Sequence, residues 1–132
     1  MTGHHSGAPH HRRGRSDRGQ AAIEFAGWIG ILLIAALAAV QLGIVAYAAQ
    51  QAGTAARAAA RVASQGGDGA AAGRGAMSAW LADGAEVSAP SGAEEVTATV
   101  TVDIPAVLPL LRFDPVTRTT TMPVTTSEGG TP

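Results

Sequence analysis

The sequence predicts an α+β chain: one long amino-terminal helix, then a short helix and a small two- or three-stranded antiparallel sheet. Three observations carry this. No charged residue occurs from Phe25 to Ala56 and no proline between Pro9 and Pro90, so helix can run unbroken through that stretch. Glu95 to Ile104 alternates, with Val96, Ala98, Val100, Val102 and Ile104 on one side and Thr97, Thr99, Thr101 and Asp103 on the other, which is the period of a half-buried strand. Val116 to Val124 is rich in threonine and suits a last strand pairing back antiparallel.

Three segments follow from the composition. Residues 1–19 are a basic leader: Arg12, Arg13, Arg15 and Arg18 stand against Asp17 alone, a sum of +3. His, Gly, Ser, Pro and Arg mix there without apolar periodicity, the composition of a disordered tail. His4-His5 and His10-His11 have no accompanying carboxylate and nothing to fix ligand geometry, so no metal is expected. Arginines flanking an apolar segment hold their end on the cytoplasmic side, which puts the remainder outside.

Residues 20–65 are expected as the long helix. Phe25 to Tyr47 spans 23 residues, about 34 Å as a helix, enough to cross a hydrocarbon core of about 30 Å. Gln41 is its only strongly polar member. Ala35, Ala39 and Gly43 repeat every fourth residue, a spacing that permits close approach of another helix in lipid. Beyond Tyr47, Gln50, Thr54, Arg57, Arg61 and Ser64 gather along one polar stripe. Ala52, Ala55, Ala56, Ala59, Val62 and Ala63 fill the other sides, and Gly66-Gly67 supplies the stop.

Residues 66–132 form the small extracytoplasmic region. Gly66 to Gly75 reads as a flexible joint, and Met77, Trp80 and Leu81 as the apolar face of a short helix closed by Asp83-Gly84. Glu86 to Ser88 is a short strand before the turn Pro90-Ser91-Gly92. So small a sheet needs something to pack on, and the alanine face of the long helix is at hand. Val107, Leu108, Leu110 and Leu111 form an apolar connector, expected to pack locally rather than on a membrane or partner. The tail from Thr125 is expected to fray.

No catalytic constellation is legible. After Gly19 there is no histidine, cysteine or lysine, and Glu94-Glu95 would point to opposite strand faces rather than converge. The glycines at 66–75 follow a helix and lack a phosphate-loop lysine. Five aromatic residues give no stacking platform for nucleic acid. The expectation is no enzyme, no cofactor and no nucleic-acid partner.

Gly19 followed at the fifth position by Glu24, then Phe25 and an apolar helix, resembles the processing site of type IV prepilins. The resemblance implies a cut by a prepilin peptidase between Gly19 and Gln20. It also implies a registering role for Glu24 against a neighbouring subunit's terminal amine. Arg18-Gly19-Gln20-Ala21-Ala22-Ile23-Glu24-Phe25-Ala26, then Gln41-Leu42-Gly43, Tyr47-Ala48 and Ala55-Ala56-Arg57-Ala58-Ala59-Ala60-Arg61 resemble the TadE/TadG-like pseudopilins of tight-adherence pilus systems, over about residues 18–63. The family often carries a proline soon after the Glu-Phe pair, where Trp28-Ile29-Gly30 stands here, and an acidic residue where Gln41-Leu42 stands.

The resemblance implies a pilin-like fold in a bacterial membrane, with other pilins or pseudopilins and the pilus assembly platform as partners. With 113 residues left after such a cut, and Phe25 rather than tyrosine after the glutamate, a minor or accessory subunit fits best. A carboxylate deep in lipid costs about 2.5–3.5 kcal/mol on insertion scales. A new amine and the first helical turn beside Glu24 would favour its charge. Two other readings stand beside this one. The chain would be a plain single-pass anchor for a small binding domain, or a secreted protein cut after Ala46-Tyr47-Ala48.

Overall fold

The computed structural model describes residues 1–4, 7 and 16–125. Most of the leader and the last residues of the tail, on which the expectations of disorder and fraying fall, lie outside the described residues. The elements are α1 (Ser16–Ser64), α2 (Gly69–Gly75), α3 (Ala79–Ala82), β1 (Ala85–Ser88), β2 (Glu95–Val102) and β3 (Val116–Pro123). They fall into two compact units, Met1–Ala36 and Leu37–Pro132. The fold is the α+β arrangement the sequence predicts, with a single helix long and apolar enough to cross a membrane among the described residues.

In the first unit α1 carries large, exposed apolar side chains: Ile23, Phe25, Trp28, Leu32 and Leu33 are each at least 60% exposed. In the second unit α1 changes character. Ala48, Ala52, Ala55, Ala56, Ala59 and Ala60 are fully buried and form the core with Val87, Ala98, Val100 and Val102 of the sheet. Alanine suits both tasks, since it is the best helix former and its short side chain lets a sheet approach closely. Gln50, Thr54, Arg57 and Arg61 are exposed as the stripe predicts. Ser64 is buried, and its Oγ donates to the Arg61 carbonyl at 2.8 Å.

The helix ends as a Schellman motif. Gly66 has φ +82°, its N–H donates to the Ala63 carbonyl at 3.0 Å, and the Gly67 N–H reaches the Val62 carbonyl at 2.9 Å. Only glycine adopts that φ without strain. Gly66→Val should therefore lower stability by about 1–2 kcal/mol, measured by amide exchange of the β2 strand. An unchanged exchange rate would show that the left-handed cap is dispensable.

The joint expected at Gly66 to Gly75 is largely a helix, α2. Asp68 caps it, its Oδ1 accepting from the Ala71 N–H at 3.0 Å. Gly69 and Gly73, four residues apart, share a face and are buried. A Cβ on Gly69 would lie 2.6 Å from the Ala59 carbonyl oxygen, and one on Gly73 would lie 2.7 Å from Val87 Cγ1. These glycines serve close approach to α1 and β1 rather than flexibility. The α3 helix is four residues long. Met77 and Leu81 enter the core as expected, but Trp80 does not: it is 52% exposed and stacks on Tyr47, ring centroids 6.0 Å apart.

The sheet has the order β1-β2-β3, antiparallel throughout. Val96, Ala98, Val100 and Val102 are completely buried, as the alternation predicts; β2 ends before Ile104, which packs partly buried against the core. On the opposite face the register pairs Thr97 with Thr121, Thr99 with Thr119 and Thr101 with Thr117. Their hydroxyls meet across the strands at 3.0, 3.5 and 3.1 Å. Threonine pairs of this kind contribute roughly 0.2–1 kcal/mol each.

Candidate functional site

Two sets of residues bear on function, one at the head of α1 and one where α1 meets the loop after β2. At the head, Gly19 lies in the opening turns of α1, because the helix already begins at Ser16. Gly19, Gln20 and Glu24 are exposed, and Phe25 is 68% exposed. Among the described residues nothing beyond its chain neighbours and its own helix lies within 4 Å of the place a Gly19 Cβ would occupy. The glycine is therefore not demanded by the fold. Ala35, Ala39 and Gly43 are likewise exposed, and a Cβ on Gly43 would meet open space. This small-residue set is not consumed by internal packing.

The second set centres on Gln41. The sequence marks it only as a lone amide in an apolar run. In the structure it is 2% exposed, and both ends of its amide are used. Nε2 donates to the Pro105 carbonyl at 3.2 Å, and Oε1 accepts from the Val107 N–H at 2.7 Å. An amide buried without partners would cost several kcal/mol by transfer estimates of about 2–7. Paired with loop backbone it becomes a clamp. Ten residues along, Gln51 does something similar, accepting from the Ser78 N–H at 3.2 Å ahead of α3. Tyr47 Oη and Ser78 Oγ share a hydrogen bond between these two points.

The loop held by Gln41 does not pack inward, which corrects the expectation for the apolar connector. Leu110 is fully exposed, Leu111 is 51% and Val107 40% exposed, and Leu108 is half-buried. The reason is a turn over Leu108–Leu111. Pro109 fixes its own φ, Leu110 takes φ +78°, and the Leu111 N–H donates to the Leu108 carbonyl at 3.4 Å. This is type II geometry, which ordinarily places glycine where Leu110 stands. A leucine in the left-handed region costs about 1–2 kcal/mol. The turn accepts that strain to send an apolar side chain outward.

No group of histidines, cysteines and carboxylates able to hold a metal ion occurs among the described residues. Glu94 and Glu95 are exposed and adjacent. What the residues offer is an accessible helix head, an open small-residue set and a clamped apolar loop.

Residues 19–61 match the family model of TadE-like proteins. The TadE-like segment begins at Gly19, runs through Glu24 and Gln41, and ends at Arg61 within the buried alanine row. The match is confined to that segment, 43 of 132 residues, and suggests a Tad pilus-related protein. No curated protein and no solved structure matches the chain. The sheet and its loops, which lie beyond the TadE-like segment, are thus described by their own geometry alone.

Proposed function

We propose that this chain is a pseudopilin, a minor or accessory subunit in the assembly of a tight-adherence pilus or a related secretion machine. The observation that carries the reading is the start of the TadE-like match at Gly19, an exposed glycine five residues before Glu24, the one carboxylate between Gly19 and Asp68. Residues 1–19 act as the leader and 20–65 as the shaft, spanning the membrane at about 25–47. Residues 66–132 form the extracytoplasmic part. Prepilin peptidase cuts between Gly19 and Gln20 on the cytoplasmic side. The new amine and Glu24 then register the subunit against other pilins or pseudopilins at the assembly platform. Ala35, Ala39 and Gly43 supply a face for a neighbouring helix.

The rival in which signal peptidase cuts after Ala48 fares worse against the geometry. Ala48 is fully buried in the core and Tyr47 is stacked on Trp80, so that cut would divide α1 within the part that supports the sheet. The test is the amino-terminal residue of protein extracted from membranes of cells with and without prepilin peptidase. Gln20 in the first and Met1 or Thr2 in the second is the expected result. An uncut chain in both identifies a plain anchor, and Ala49 identifies a secreted product.

Glu24→Ala should leave membrane insertion intact, since it removes a charge from the edge of the apolar run. Its incorporation into filaments or assembly complexes should fall sharply, as read by co-purification with the other subunits. Normal incorporation would remove Glu24 from the assembly mechanism.

A further inference from the structure

We propose that the loop at residues 105–111 is a second membrane contact: Val107, Leu110 and Leu111 enter the acyl chains beside α1, held at that depth by Gln41. The inference rests on the reading of α1 as a membrane span. The occupant of this surface is lipid.

Depth is set by Gln41. It lies six residues before Tyr47, inside the apolar run, which places it about 9 Å below that tyrosine along the helix axis. Its two hydrogen bonds bring the backbone of Pro105 and Val107 to the same level. Around it on α1, Leu37, Val40 and Leu42 are themselves exposed. The loop thus extends an apolar surface that already begins on the helix.

The loop's backbone is partly satisfied: Pro105 and Pro109 have no N–H, the Val107 N–H is taken by Gln41 and the Leu111 N–H by the Leu108 carbonyl. The N–H groups of Ala106, Leu108 and Leu110 have no partner among the described residues, so the loop's backbone stays at the hydrated edge of the hydrocarbon and only its side chains enter the acyl chains. No charge occurs from Ile104 to Leu111, while Asp103 and Arg112 flank the stretch. The stacked, half-exposed pair of Tyr47 and Trp80 lies on the sheet side of Gln41, and Trp80 shares a shallow pocket with Ile104 and Pro105. Aromatic rings with one apolar and one polar end favour the headgroup level, which is where this depth would put them. The strained φ of Leu110 directs its side chain away from the protein, an arrangement of no use to the core.

The chain has no cysteine, so single-cysteine labels have no background. The full chain carrying an environment-sensitive fluorophore at Leu110→Cys is reconstituted in phosphatidylcholine–phosphatidylglycerol vesicles at low protein-to-lipid ratio. Quenching by nitroxides on the acyl chains is compared with quenching by aqueous iodide. Thr119→Cys on the sheet face and Leu33→Cys in the apolar run serve as references. The expected result is nitroxide quenching at Leu110→Cys severalfold above Thr119→Cys, with weak iodide quenching.

Strong iodide quenching at Leu110→Cys, with Leu33→Cys quenched by nitroxide, overturns the loop contact while leaving the span intact. Iodide quenching at Leu33→Cys instead removes the span, and the proposal with it. Shielding of Leu110→Cys from both quenchers means that a second copy covers the loop, which also overturns the proposal. Adding Gln41→Ala should shift the Leu110→Cys label toward iodide; an unchanged pattern would remove Gln41 as the clamp.

Discussion

Gly69→Ala is expected to destabilise the part of the chain that carries the sheet, against what helix propensity alone would say. In a helix, alanine is favoured over glycine by about 0.8–1.0 kcal/mol. At this position the added Cβ would stand 2.6 Å from the Ala59 carbonyl oxygen, 2.8 Å from Ala63 Cβ and 2.9 Å from Ala89 Cβ. A backbone carbonyl inside α1 has no rotamer by which to withdraw, so α2 itself has to move. Overpacking of this kind costs typically about 1–3 kcal/mol. The packing term should exceed the propensity term. Gly75→Ala is the control in the same helix, since nothing lies within 4 Å of its would-be Cβ. It should be neutral or stabilising by about 0.4–1 kcal/mol. Amide exchange at Val100, measured in the full chain in detergent, gives both values. Equal effects at the two glycines would show that α2 is not wedged against α1.

The same residues show why part of the fold is legible in the sequence and part is not. The β2 alternation from Val96 to Val102 reads directly, because a period of two has one structural meaning when one face is buried. The alanine row from Ala52 to Ala63 reads because the polar stripe opposite it fixes the helix face. Gly69 and Gly73 do not read, because glycine marks both a flexible chain and a close contact, and only the neighbouring backbone tells them apart. Trp80 escapes because α3 has four residues, too few for a helical period to set a face.

The connector after β2 is misread for a similar reason. An apolar run between prolines looks like core when the turn is unknown, and Pro109-Leu110 turns it outward. Gln41 is visible as an anomaly in the sequence, yet its partners lie 64 and 66 residues away. The head of α1 reads only in part: the helix, expected from residue 20, begins at Ser16 within the leader, and Gly19, Gln20 and Glu24 are exposed on it.

That freedom at the head of α1 makes the second large effect sharp. Gly19→Trp should leave the precursor uncut and full-length in the membrane, an all-or-none change seen as a mobility difference and a Met1 or Thr2 terminus. A bulky substitution ordinarily raises the suspicion of misfolding. Here residue 19 is exposed and, among the described residues, nothing lies within 4 Å of the place a Cβ would occupy, so the fold leaves room for a larger side chain. The helix beginning at Ser16 sharpens the argument further. A peptidase must draw the bond between Gly19 and Gln20 into extended form, which means unwinding the opening turns. Glycine makes that easier, since it disfavours helix by about 0.8–1.0 kcal/mol relative to alanine. Gly19→Ala should therefore be cut more slowly rather than not at all, because it restores helix propensity but remains small. Tryptophan adds bulk that a pocket shaped for a small residue rejects. A graded order of glycine, alanine, tryptophan would tie the effect to the scissile site. Full cutting of Gly19→Trp would contradict the processing mechanism, because the scissile site would then tolerate the bulk it is proposed to reject.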